Sequence, residues 1–139
     1  MEIPNVNQTK SNDLEISCSL DKAFEQVKLS LNRIGHVGQE NRAQQFIKGT
    51  IRYGLQSVKI RVSLIEREAN KTTVVIQATS DDIWGAAAQN ATKRVVETIS
   101  NLDNPGYKPN RLGINPIALV ALIVGFIFVV WWIINNITK

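Results

Sequence analysis

The stretch Ile47–Ser80, IKGTIRYGLQSVKIRVSLIEREANKTTVVIQATS, decides how the polar part of this chain folds. Ile47, Gly49, Ile51 and Tyr53 alternate with Lys48, Thr50 and Arg52, ending at Gly54. Val58, Ile60, Val62 and Leu64 then alternate with Lys59, Arg61 and Ser63, and after the polar turn EREANK the period returns in Val74, Ile76 and Ala78. Successive side chains of a strand point to opposite faces, so each segment predicts a strand with one apolar and one polar side. Three such strands with short links predict an antiparallel meander.

Upstream, GHVGQENR reads as a turn, and SLDKAFEQVKLSLNRIG before it changes period. Leu20, Phe24, Val27, Leu31 and Ile34 recur at three and four, Asp21 suits the first turn and Gly35 the C-terminal cap, which predicts an amphipathic helix. Leu14, Ile16 and Cys18 opposite Glu15, Ser17 and Ser19 predict a short strand, and residues 1–12 a flexible lead-in. Downstream, Trp84, Ala88, Ala91, Val95, Ile99 and Leu102 stand at helical spacing behind Ser80, Asp81 and Asp82, which can accept hydrogen bonds from first-turn amides. The fold class expected is α+β: a single two-layer domain over residues 13–103, with a four-stranded antiparallel sheet and two helices in the order β-α-β-β-β-α. A linker with three prolines follows over 104–115 and the start of the next segment.

That segment, residues 116–134, predicts a transmembrane helix. From Ile117 to Ile134 there is no charge, Pro, Asn or Gln, and at about 1.5 Å per residue the run covers about 27 Å, close to the thickness of a bilayer's hydrocarbon core. Trp131 and Trp132 near one end, and Tyr107 with Lys108 and Arg111 before the other, suit interfacial anchors. Only residues 135–139 follow, and the N-terminus shows no apolar region behind a positive start. The expectation is a single-pass, tail-anchored protein of the cell membrane, a bacterial plasma membrane by the resemblance below, with its N-terminal domain cytosolic.

The formal charge of +4 is spread among acidic residues, so nucleic acid is not an expected partner, and a single cysteine, Cys18, excludes an internal disulfide framework. Two helices cover one face of such a sheet. The other face carries Lys48, Arg52, Lys59 and Arg61 on neighbouring strands, among Thr50, Ser63, Thr73, Val75, Gln77 and Thr79. It is either an ordinary solvated surface or a contact face for something acidic: a lipid headgroup or a protein partner.

SDDIWGAAAQNATKRVVETI, following three strands, resembles the closing segment of a group of small uncharacterised bacterial domains, often membrane-attached, whose final helix opens with Asp-Trp-Gly and carries asparagines soon after. Trp84, Gly85 and Asn90 sit where that pattern places them, while Asp82 stands one residue early and Ala87 replaces the first asparagine. The resemblance implies the β-α-β-β-β-α order and no activity. Trp84 and Gly85 are expected as a packing anchor and a close helix-sheet approach.

Chemistry-bearing patterns are sparse. His36 sits in GHVG without an evident partner to orient it as a base, Cys18 falls on an inward strand face where a thiol is inert, and one Cys with one His makes no common metal set. No cofactor is expected, and an enzyme is not. The leading expectation is a membrane-tethered interaction module working through the open face. The alternative is a small structural subunit of a membrane complex, held through Ala118, Ala121 and Gly125 on one side of its transmembrane helix. Oligomeric state is not legible.

Overall fold

The computed structural model describes residues 8–82, 84–109 and 116–137. Five strands and three helices follow in the order β1 (Gln8–Ile16), α1 (Leu20–Ile34), β2 (Gly35–Asn41), β3 (Phe46–Tyr53), β4 (Gln56–Glu68), β5 (Lys71–Ser80), α2 (Ala86–Ser100) and α3 (Pro116–Ile137). The strands form one antiparallel sheet in the order β1-β5-β4-β3-β2. The α+β class, the meander and the apolar C-terminal helix are as expected; the strand count is five, not four.

The added strand is β2, in the segment expected as a turn. It begins at Gly35, directly after α1, whose C-cap it also forms by donating its N–H to Leu31. As an edge strand β2 buries little, only Val37 packs against the core, and a bulge between Val37 and Gln39 breaks its phase. Alternation was therefore never visible in it. At the opposite edge, β1 starts at Gln8, so residues 8–12 belong to the sheet and not to the lead-in; Cys18 lies past its end, in the bend before α1. Residues 1–7 lie outside the described residues.

Both helices cover the same face. Phe24, Val27 and Leu31 of α1 and Ala88, Ala91 and Val95 of α2 meet Ile47, Ile51, Val58, Ile60, Val62, Val74 and Ile76 in one buried cluster. Small residues line α2, which lets it lie close to β1, β5 and β4. The Thr72 hydroxyl donates to the Cys18 carbonyl at 3.0 Å, tying the start of β5 to the turn that launches α1. Lys28 pairs with Glu40 at 2.7 Å, and Arg42 pairs with Glu25 while lying 4.8 Å over the Phe24 ring, so α1 is clamped to β2 from outside as well.

Of the residues offered as acceptors for α2, Asp82 takes the role. Its carboxylate accepts from the Ser80 hydroxyl and from the Ala87 amide at 3.3 Å, ahead of Gly85, whose φ of +65° turns the chain into the helix. The Ser80 hydroxyl, and then the Ala87 and Ala86 amides, hold this carboxyl below the usual carboxylate range. A carboxyl depressed by folding stabilises above its ordinary pKa and loses that contribution as pH falls through its folded value. Asp82→Ala is thus expected to lower stability at neutral pH, with the gap to the parent closing as pH falls through and below the usual carboxylate range, read from denaturation midpoints at neutral and acidic pH.

Trp84 corrects the sequence reading. It is 87% exposed, on the turn before α2, while the buried face of that helix starts with Ala87 and Ala88. Asn90 reaches the sheet instead, its amide 3.4 Å from the Tyr53 hydroxyl.

Candidate functional site

The face of the sheet turned away from the helices carries the candidate site. Register places its side chains in rows that cross the strands. Gln39, Lys48, Arg61, Gln77 and Ser11 form one row, and His36, Thr50, Lys59, Thr79 and Thr9 the next. Lys48 and Arg61 stand directly opposite each other, as do Thr50 and Lys59, so the expected phase of both strands holds and Lys48, Lys59 and Arg61 come together. Arg52 lies further along β3, opposite Ser57.

Between these rows is a depression of about 540 Å³, floored at Gly38 and Gly49 and walled by Lys48, Lys59, Arg61, Gln39, Gln77 and Thr79 among others. The glycines matter to its shape. A Cβ on Gly49 would stand 2.6 Å from the His36 carbonyl oxygen, so β2 and β3 approach this closely only without one. Thr9 and Thr79 face each other across the β1–β5 pair at 3.3 Å between hydroxyl oxygens. The site is a shallow basin rimmed by cations, hydroxyls and carboxamides.

One aromatic ring belongs to it as well. Phe46, on the same face, is 6% exposed because Lys48 and Arg61 lie over its ring at 5.2 Å and 4.9 Å from the centroid. Phe46 is missing from the sequence reading of this face, although the alternation of β3 extends back to it. His36 and Gln39 were out of reach, because their strand was read as a turn.

The charges decide what the basin can do. Among the described residues three ion pairs occur, taking Lys28, Arg42 and Lys71, the last with Glu15 at 3.4 Å. None takes Lys48, Arg52, Lys59 or Arg61. Like charges opposite one another on a sheet are destabilising by some tenths of a kcal/mol, and the Phe46 ring offsets part of that. Asp13 and Glu15 of this face sit on edge strand β1, away from the cations.

His36 is exposed on β2, beside Thr50 and Arg52. Cys18 is buried, and burial pushes its thiol up. No three His, Cys, Asp or Glu residues come together among the described residues in a way that could hold a metal ion.

The remaining expected site residues lie outside the sheet. Val120–Ile137 of α3 has a mean hydropathy of 2.3 and none of its residues is buried, so the chain carries a C-terminal helix long and apolar enough to cross a membrane. Ala121 and Gly125 are one turn apart on it, and a Cβ at Gly125 would meet nothing within 4 Å. The Ala118 side chain lies outside the described residues. Trp131 and Trp132 are exposed near the C-terminal end, with Phe128 against Trp131 at 5.9 Å. Tyr107 is half-buried near the Arg94 guanidinium, on the chain leaving α2, and Lys108 is exposed beside it; Arg111 lies outside the described residues.

No family model matches this chain, and no curated protein matches it in sequence. Solved structures do share its architecture. CalU16 from Micromonospora echinospora superposes with a TM-score of 0.53 at 8% identity, covering 74% of this chain and 78% of that one. A truncated norcoclaurine synthase from Thalictrum flavum superposes with a TM-score of 0.50 at 8% identity, covering 77% and 99%. The second corrects the expectation that the chain is not an enzyme, because a synthase is built on the same fold. At such identities the likeness is one of fold, and the chemistry of this chain has to be read from its own open face.

Proposed function

We propose that this chain is a membrane-tethered binding module whose open sheet face receives an anionic group. One observation carries the reading: Lys48, Arg52, Lys59 and Arg61 are gathered on two neighbouring strands, around a basin lined with hydroxyls and carboxamides, with no carboxylate paired to any of them among the described residues. Elsewhere on the domain Lys28, Arg42 and Lys71 are paired with carboxylates. A cluster left open in this way lowers the energy of an incoming anion more than a neutralised surface does. Lys and Arg donate to its oxygens, and the threonines complete its shell.

In this reading α3 crosses the lipid once and holds the domain on the cytosolic side of the cell membrane, with Trp131 and Trp132 at the far interface. Lys108 on the domain side supports that orientation. The anionic group arrives on a lipid headgroup or on an acidic segment of a protein partner.

The test uses the full chain in nanodiscs of neutral lipid. Wild-type discs are expected to recruit vesicles containing anionic lipid, or to capture an acidic protein from a membrane extract. The triple variant Lys48→Ala/Lys59→Ala/Arg61→Ala loses about a hundredfold in whichever of the two it is, at about 1 kcal/mol per cation near a charged surface. The vesicle arm and the protein arm separate the two sources. Equal recruitment by parent and variant in both arms refutes the reading.

A further inference from the structure

Two large apolar side chains at one end of the domain stand exposed. The β3–β4 hairpin turns on Gly54 and Leu55, between the paired residues Tyr53 and Gln56. Gly54 has φ +60°, which the turn requires of its first central residue, whereas the second accepts a polar side chain as readily as any other. Leu55 stands there at 106% exposure. Trp84, 87% exposed, occupies the loop between β5 and α2.

These loops share an end of the sheet. Lys59 pairs with Thr79 and Gln8 with Ser80, which brings the end of β5 beside the base of the hairpin. Asn90, in the first turn or so of α2, touches the Tyr53 hydroxyl. Arg33 in the last turn of α1 and Arg52 near the end of β3 are exposed at the same end.

The geometry points to this end as a membrane-docking tip: Leu55 and Trp84 enter the interface of the bilayer that α3 crosses, with Arg33 and Arg52 on headgroup phosphates. The inference rests on the reading of α3 as a membrane anchor. Residues 101–107 leave α2 in hydrogen-bonded turns and bring Tyr107 back near Arg94, midway along α2, so the tether to Pro116 is residues 108–115, which reach at most about 30 Å. Arg94 itself lies only about 12 Å along α2 from the tip-end start at Ala86. The far end of the domain is therefore within reach of the lipid. A bilayer held that near is the most concentrated apolar phase the tip meets, and an indole is at its best at headgroup depth. With the tip down, the strands stand on the membrane, and Arg52 and Lys59 are the open-face cations nearest the headgroups.

The experiment uses the full chain with Trp131→Phe and Trp132→Phe, which leaves Trp84 as the sole tryptophan, reconstituted into vesicles. Carbonate extraction first establishes that α3 is integrated. Extraction of the protein by carbonate overturns the anchor and this inference together. With α3 integrated, Trp84 emission is expected at shorter wavelength than in a water-exposed indole, quenched by lipids brominated on their acyl chains, and Leu55→Asp is expected to cut that quenching about tenfold. Lys48→Ala/Arg61→Ala, which spares the cations nearest the headgroups, leaves the quenching in place, which separates the tip from the basin. Trp84 that stays open to aqueous iodide, or that is shielded from iodide without being quenched by brominated lipid, overturns the docking tip and leaves the anchor standing.

Discussion

Phe24→Ala is expected to destabilise the domain by about 3 to 5 kcal/mol. Phe24 projects from the second turn of α1 into the cluster between the helices and the sheet, is 2% exposed, and is among the largest fully buried side chains. Its removal opens a cavity that neighbours on β3, β4 and α2 cannot fill without leaving their own contacts. It also takes away the ring under the Arg42 guanidinium, which is meanwhile held by Glu25. For a domain of this size the loss is a large share of the total stability, and at about 4 to 8 °C per kcal/mol it lowers the melting temperature by about 12 °C or more. Far-UV circular dichroism of the full chain in mild detergent measures it, with α3 contributing the same background to parent and variant. Trp84→Ala is the contrast. Removing the larger ring, at 87% exposure, should leave stability within about 0.5 kcal/mol of the parent.

That contrast shows where sequence reasoning reaches and where it stops. Strands β3, β4 and β5 were legible because each is covered by helices on one face and open on the other, which writes alternation of apolar and polar residues into most of their length. The open-face cations followed from the same phase. Helix α1 was legible for the corresponding reason at period 3.6. Burial that is partial leaves no such trace. The first half of β1 turns Lys10 and Asn12 toward the helix side, where they face Gln89, Thr92 and Lys93 of α2 across a polar gap, so nothing apolar announced a strand. Trp84 was misplaced because size and helical spacing argue for packing only where the helix has begun, and α2 begins at Ala86. The basin itself depends on β2, and β2 was hidden by a bulge.

The pairing of β2 is therefore the part of the site that most needs a direct test, and Gly35→Ala supplies it. A Cβ on Gly35 would stand 2.1 Å from the carbonyl oxygen of Thr50 on β3, far inside contact distance and against backbone, not a movable side chain. Relief by shifting β2 is closed off, because α1 ends at Ile34 and no loop separates it from the strand. Moving β3 instead disturbs its pairing with β4 and the Ile51 side chain, which the same Cβ would crowd at 3.1 Å. A cost of about 3 kcal/mol is expected, at the upper end for an inserted methyl group, read from the unfolding midpoint and from faster amide exchange along β2 and β3. Gly38→Ala is the internal control: its Cβ would lie 4.0 Å from the Lys48 carbonyl oxygen, an ordinary contact, so the change should be nearly neutral. If the two substitutions cost the same, β2 is not paired with β3 in this register. If Gly35→Ala alone is costly, His36 and Gln39 are held beside Thr50 and Lys48, and the variant should weaken anion binding in step with the loosening of that edge, while every cation on β3 and β4 remains in place.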